Sequence, residues 1–285
     1  RGPTLEIVIT KLLHINPNLL ILGLSATINN AAEIASWLNA KLISMDWRPV
    51  ELREGVFYDD SIFFSDSKLQ EVETTCKSQI INLVLETIKD GDQGLIFVNT
   101  RRSAERVSLD ASKETSKFLK KTESNKLKRL SKLVKGSLEE SNKISIRLSK
   151  ALEGGSAFHH AGLSSKQRKI IEDGFKDNLI KVIVATPTLA AGVNLPARRV
   201  VIRDYTRYDV NLGRIKIPIL EYKQQAGRAG RPKYDEYGEA VLIARTADER
   251  SLLLDNYILG VPEDISSKLA VESTLRTHVL AVIAM

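Results

Sequence analysis

The feature that most constrains this chain is an alternation. Five short apolar runs, Leu95–Val98, Ala157–His159, Lys181–Ala185, Val200–Ile202 and Ala240–Ile243, are separated by stretches of helical periodicity. Strands that alternate with helices predict an α/β fold with a parallel sheet and crossover helices, and uninterrupted apolar runs suit strands covered on both faces. In such sheets ligand sites form outside the carboxyl ends of the strands, so the loops following these runs carry the functional argument. At 285 residues with 43% apolar content, the chain suits one large domain or two modest ones with a packed core.

Ahead of the alternation, a helix is expected over Leu5–Leu13, an apolar strand over Leu19–Leu24 and a helix over Ala31–Leu38. These pieces do not close a domain by themselves and read as the tail of one, with a boundary near residue 46. Trp47-Arg48-Pro49 breaks the pattern, and Val56–Phe64 reads as a crossing linker that becomes a strand. From Lys68, the positions Leu69, Val72, Cys76, Ile80, Leu83, Val84 and Ile88 keep the helical period up to Asp90-Gly91, predicting one long helix. Beyond Pro262 a fresh helical pattern, Lys268–Met285, reads as the start of a further domain. The expected division is therefore 1–45, 46–262 and 263–285, with the chain truncated at both ends.

The formal charge is +7, and its distribution is uneven. Lys113–Lys150 holds twelve Lys or Arg against four Glu, a local excess of +8. Phe118, Leu119, Leu127, Leu130, Leu133, Val134 and Leu138 fall at helical spacing among these charges. Two readings stand: the solvated face of long helices, or a basic surface along a nucleic-acid backbone. One cysteine, Cys76, excludes an intrachain disulfide, and no apolar run approaches 18 residues, so a cytoplasmic protein is expected. His14, His159, His160 and His278 do not combine with Cys76 in a zinc spacing, and no metal site is expected.

Several loops combine small residues, hydroxyls and arginines, a composition suited to phosphates. They are Gly23-Leu24-Ser25-Ala26-Thr27, Asn99-Thr100-Arg101-Arg102, His159-His160-Ala161-Gly162-Leu163 and the run Thr186-Pro187-Thr188 through Gly192-Val193-Asn194-Leu195-Pro196. The decisive stretch is Gln224-Gln225-Ala226-Gly227-Arg228-Ala229-Gly230-Arg231-Pro232, in which two arginines three apart are expected on one helical face, suited to a triphosphate. Taken in order, these motifs resemble superfamily 2 helicases of the Ski-like type, and most of all the archaeal Holliday-junction-migration DNA helicases. The opening Arg-Gly-Pro-Thr-Leu-Glu, the Asp-Trp-Arg-Pro-Val linker and the closing Leu-Ala-Val-Glu-Ser-Thr-Leu-Arg-Thr-His-Val-Leu extend the resemblance over nearly the whole chain.

The resemblance implies roles. Residues 1–45 would be the tail of a first RecA-like domain. Residues 46–262 would be the second, with a basic helical insert at 103–153 and a hairpin at 203–219, and 263–285 would begin a winged-helix domain. Ser25 and Thr27 look like motif III, which couples nucleotide to strand. Thr100, Arg101, His160, Gly162, Thr186 and Thr188 are similar to positions that hold the nucleic-acid backbone, although a histidine beside a strand equally suits a satisfied core group. Gly192 and Asn194 would face the nucleotide, and Arg228 and Arg231, with Gln224 beside them, look like the motif VI arginines. The hairpin bearing Arg207, Tyr208, Asn211 and Arg214 would be the wedge that parts a duplex, although its residues alone favour an ordinary surface hairpin.

Within these 285 residues there is no Gly-x-x-x-x-Gly-Lys-Ser/Thr and no Asp-Glu-x-His after a strand. ATP and Mg²⁺ would thus be gripped mainly by a segment upstream, where the resembled family carries both motifs, and this chain alone is expected to be inactive. The implied activity is an ATP-dependent 3′ to 5′ DNA helicase and translocase on single-stranded and branched DNA in replication-coupled repair and recombination, acting as a monomer. Two alternatives stay open: a Ski-like RNA helicase, and a nucleic-acid-binding module that never hydrolyses ATP.

Overall fold

The computed structural model describes residues 2–25, 27–45, 47–136, 143–189, 194–209, 212–267, 269 and 271–283. The chain divides into two compact units, residues 1–46 with 262–285, and residues 47–261.

In the smaller unit, helices α1 (Gly2–Ile15) and α2 (Ala31–Trp37) are joined by a further helix, Glu272–Ile283. The Asn30 amide accepts from the Ile265 N–H at 2.9 Å and donates to its carbonyl at 3.0 Å, which ties the two ends of the chain together within this unit. The strand expected over Leu19–Leu24 does not form. Leu20, Leu22 and Leu24 are 83–97% exposed, because no strand among the described residues of this unit offers a ladder to pair with.

The larger unit is built on an eight-stranded sheet. Its strands are β1 (Glu51–Tyr58), β2 (Ser61–Phe64), β3 (Leu69–Glu71), β4 (Gly94–Phe97), β5 (Ser156–His159), β6 (Val182–Ala185), β7 (Arg199–Ile202) and β10 (Tyr237–Ile243), in the order β3-β2-β1-β10-β7-β4-β6-β5. From β1 to β5 across that order every pairing is parallel, while β2 and β3 add an antiparallel margin. β4, β5, β6 and β7 are buried at every position, as their uninterrupted apolar runs require. All five runs singled out in the sequence are strands of this parallel core.

Around the sheet lie α3 (Gln79–Lys89), α4 (Arg101–Thr115), α5 (Lys121–Lys135), α6 (Lys143–Glu153), α7 (Ser165–Lys176), α8 (Ile219–Ala226) and α9 (Ala247–Leu253). The long helix expected from Lys68 is in fact two elements. Leu69–Glu71 pairs with β2 through a tight turn at Ser67 (φ 67°), and the helix begins only at Gln79. Between them the Asn82 side chain accepts from the Cys76 N–H at 2.8 Å and donates to its carbonyl at 2.9 Å, which fixes an irregular link. Cross-strand pairing satisfies a backbone that a helix would also satisfy, so the helical period of the apolar residues did not decide the outcome.

The basic insert forms α4, α5 and α6. Leu127, Val134, Leu148 and Leu152 are fully buried, whereas Phe118 and Leu133 are 37% and 59% exposed, and Leu138 lies outside the described residues. Small hydroxyls knit these helices together: Ser131 Oγ meets Ser149 Oγ at 2.6 Å, and the Gln167 amide donates to Ser145 Oγ at 2.9 Å.

Candidate nucleotide and nucleic-acid site

Parallel register puts the carboxyl ends of neighbouring strands together. Phe97, Ala185, His159 and Ile202 are aligned across β4, β6, β5 and β7, so the loops that follow these four strands emerge at one end of the sheet. After β4, Thr100 caps α4 by accepting from the Ser103 N–H at 3.1 Å, and both Thr100 and Arg101 are exposed. After β5, Ser164 and Gln167 form a reciprocal capping box that opens α7, and Gly162 lies exposed just before it. After β6, the Thr186 and Thr188 hydroxyls meet at 3.0 Å, with Thr186 buried and Thr188 exposed.

His160 differs from what the sequence implied. It is 1% exposed, its ring stacks on Phe158 with centroids 5.3 Å apart, its Nδ1 accepts the Gly162 N–H at 3.1 Å and its Nε2 faces Glu105 at 3.6 Å. So placed, it cannot touch a backbone itself; it shapes the loop that presents Gly162. Burial is the larger influence on both His159 and His160 and holds their pKa values below the usual histidine range, although Glu172 and Glu105 pull the other way. The unfolded chain therefore binds more protons than the folded one, so stability is complete above about pH 6.5 and falls as pH drops below it. Thermal melts between about pH 7.5 and 5.5 should show this loss, and His160→Gln should remove part of it.

The strand-joining loop after β7 leads into a hairpin of β8 (Thr206–Asp209) and β9 (Gly213–Lys216). Its base is held firmly. The Asn99 backbone donates to Asp204 at 3.0 Å and the Asn99 amide donates to the Thr206 carbonyl, linking the loop after β4 to the hairpin. Below, Tyr257 stacks edge-on against both Tyr205 and Tyr222 and donates to the Ile217 carbonyl at 2.7 Å. Arg207 pairs with Glu221 at 2.7 Å, and Arg214 donates to Thr206 Oγ1 at 2.9 Å. Tyr208 and Leu212, by contrast, are 80% and 75% exposed near the tip. Asn211 lies outside the described residues.

The two arginines of the decisive motif occupy the opposite end of the sheet. Ala229 bridges Ala197, which precedes β7, and Asp92 and Gln93 precede β4. Nor do the arginines share a helical face: α8 ends at Ala226, and both lie in the extended turn that follows. Gly230 forces that turn, with φ at +88°; a Cβ there would sit 2.6 Å from Val50, and a Cβ on Gly238 would sit 2.1 Å from the Gly230 nitrogen. Arg48, in the linker flagged as a break, clamps the turn by donating to the Val50 carbonyl at 2.9 Å and the Ala229 carbonyl at 2.6 Å.

The arginines then diverge. Arg228 reaches Asn194 Oδ1 at 3.2 Å, bringing together two residues that the resemblance assigned to the nucleotide, with Gln224 exposed on the last turn of α8. Arg231 turns to Asp235 at 2.7 Å, Asp92 and the Gln93 side-chain amide oxygen Oε1 at 3.3 Å. Burial opposes its charge, but Asp235 and Asp92 outweigh it and hold its pKa above the ordinary value. Ser25 is exposed and Thr27 half-buried in the smaller unit, and Gly192 lies outside the described residues. Among the described residues no group of His, Cys, Asp and Glu is gathered as a metal site, and no helix is long and apolar enough to cross a membrane.

Residues 76–233, covering all four strand-end loops and the arginine turn, match the helicase conserved C-terminal domain. The chain belongs to that family. Within the helicase C-terminal domain family, it is 49% identical over 284 residues to the ATP-dependent DNA helicase Hel308 of Methanocella arvoryzae and 50% identical over 284 residues to that of Pyrococcus horikoshii. The Hel308 of Pyrobaculum calidifontis is 43% identical over 289 residues. These matches cover 99–100% of this chain but only 38–39% of each relative, so the chain spans well under half their length. The Ski-like resemblance carried by the motifs is thus borne out from end to end, and the parallel sheet is that of a RecA-like α/β domain.

Sequence reasoning missed three positioning residues. Arg48 was visible only as part of a chain break, Asp204 only as a position within the 203–219 hairpin span, and Gln93 not at all. The Gln93 amide donates at 2.7 Å to both the Phe175 and Ile180 carbonyls while its oxygen receives Arg231. Nothing in local sequence marks a buried amide that joins segments more than 80 residues apart.

Proposed function

We propose that this chain is the second motor domain, with flanking pieces, of an ATP-dependent DNA helicase and translocase moving 3′ to 5′ on forked or branched DNA. The observation that carries this reading is a division of labour across the sheet. Thr100, Arg101, Gly162, Thr188 and the hairpin gather at the carboxyl ends of the strands, while Asn194 and Arg228 meet at the other end. One segment, Thr186 to Ala197, runs from the first group to the second, so a shift at the nucleotide end is transmitted along a single covalent path. The backbone would lie along the first end, held by exposed hydroxyls, backbone N–H groups and Arg101, with Tyr208 and Leu212 offered to the parting base pairs.

At the other end Arg228, with Gln224 and Asn194 beside it, would stabilise charge on the transferring phosphate, and Arg231 would join it once released from Asp92 and Asp235. A phosphate loop and acidic residues elsewhere in the protein would hold ATP and Mg²⁺. Ser25 and Thr27, in a remnant of the first RecA-like domain (1–45), would relay closure between domains. Residues 46–262 form the second such domain, and 263–285 would begin a winged-helix domain.

The test is ATP hydrolysis by a chain lengthened upstream to include its phosphate loop. Hydrolysis that rises with single-stranded DNA and not with matched RNA is expected, with the 285 residues alone silent. Stimulation by RNA instead would assign the substrate to the wrong class here, and hydrolysis by the 285 residues alone would remove the two-part motor.

A further inference from the structure

The charge excess of the helical insert plays no part in the reading above. In the structure Lys113, Arg147 and Lys150 of that excess, with Arg102 and Arg106 just ahead of it, line a concave groove of about 640 Å³ between α4 and α6. Arg102, Arg106 and Lys113 line one wall from α4, and Arg147 and Lys150 line the other from α6. Steps of four and seven residues put the α4 cations on a single face, and a step of three does the same on α6.

The carboxylates in the groove are already engaged. Glu105 takes Arg147 at 2.6 Å, Asp110 takes Lys113 at 2.8 Å and Glu153 accepts from Ser131 Oγ at 2.9 Å. Arg102, Arg106 and Lys150 are exposed and form no ion pair among the described residues. The groove also starts where the first end of the sheet stops. Arg102 is in the first turn of α4, directly after Thr100 and Arg101, and the Arg101 guanidinium lies 3.4 Å from the space beside Gly162.

We propose that this groove holds a sugar-phosphate backbone as an extension of the nucleic-acid track, through Arg102, Arg106 and Lys150. The inference rests on the reading of the strand ends as that track. Guanidinium forks match phosphate oxygens, and Leu109 with the aliphatic stem of Lys150 offers apolar cover to the sugars. Recognition is by charge, so it carries no base sequence. A merely solvated face leaves its cations exposed outside any groove, as Lys126, Lys128 and Lys132 of α5 are, none of which lines this one. An acidic polypeptide shares the sign of charge, but continuity with Thr100 and Arg101 favours nucleic acid.

The experiment compares the full-length protein with two charge-matched triple variants: Arg102→Gln, Arg106→Gln, Lys150→Gln in the groove, and Lys126→Gln, Lys128→Gln, Lys132→Gln on α5. Affinity for a single strand, a blunt duplex and polyglutamate is read by anisotropy from about 50 to 200 mM salt. The slope of log affinity against log salt should fall by about 2 on a single strand or about 3 on a duplex for the groove variant, and the α5 variant should keep the parental slope. A fall on one ligand alone assigns the groove to that form of DNA and still supports the proposal. Equal slopes for the groove variant and parent, an equal loss in the α5 variant, or loss of polyglutamate binding with the DNA slope intact overturns it. If the parent binds neither DNA ligand, the track reading fails along with the groove; if it binds and the groove variant is unchanged, only the groove fails. Should the triple variant not fold, Arg106→Gln alone should lower the slope by about 0.7 to 0.9, and no change there overturns the proposal equally.

Discussion

Arg199→Leu should destabilise this chain by about 3–5 kcal/mol, more than any surface change, because it strands a buried carboxylate. Arg199 and Glu239 are each 4% exposed, with Nε 2.6 Å from Glu239, and Nη1 also reaches Glu86 at 2.6 Å and the Leu83 carbonyl at 2.8 Å. Burial opposes the Arg199 charge, yet Glu239 and Glu86 outweigh it and hold the pKa above the usual arginine value. The pair therefore fastens β7 to β10 and to α3. Removing only the cation leaves Glu239 desolvated with Arg198 4.0 Å away, too far for a hydrogen bond. A drop in melting temperature of roughly 10 °C is expected, and Arg199→Leu with Glu239→Leu should recover most of it. A single variant that melts with its parent, or a double variant worse than the single, would show that the pair is not the fastening it looks to be.

Arg228→Ala, in a protein lengthened to carry its phosphate loop, should lower the rate of ATP hydrolysis by about 10³-fold or more, with a smaller loss of melting temperature than Arg231→Ala. Asn194, which Arg228 reaches, is an exposed neutral amide, whereas Arg231 holds a buried carboxylate. Arg231→Ala should behave differently. The Asp235 side chain is 2% exposed and takes the Arg231 guanidinium as well as its backbone N–H at 2.7 Å, so truncation strands a carboxylate and costs roughly 2–4 kcal/mol besides any loss of rate. Parallel melts and single-turnover hydrolysis separate the two. If Arg228→Ala hydrolyses ATP at the parental rate, the assignment of the nucleotide end falls; if Arg231→Ala is thermally silent, its ion pairs are not structural.

The contrast between these arginines shows where sequence reasoning stopped. Their spacing within Gly-Arg-Ala-Gly-Arg was legible, and so was a phosphate-directed composition. A helical face was the natural expectation for residues three apart, but Gly230 at positive φ and the contact with Gly238 turn the chain out of α8 before either arginine is reached. The same limit applies to His160. A histidine after a strand offers the same sequence signal whether it faces solvent or packs under a loop, and only its stacking on Phe158 and the approach of Glu105 from α4 settled the matter.

By itself the sequence determined the parallel α/β core, since apolar runs of three to five residues between helical stretches can be buried only in a sheet covered on both faces. It also determined the family, because five separated motifs in a fixed order outweigh any single one. Tertiary structure alone decided that Leu69–Glu71 joins a strand pair while Leu19–Leu24 finds no ladder, which end of the sheet each motif occupies, and which cations are tied down. Those outcomes depend on partners distant in sequence, as with Arg199 and Glu239 or Gln93 and Ile180, and local periodicity carries no record of such pairings.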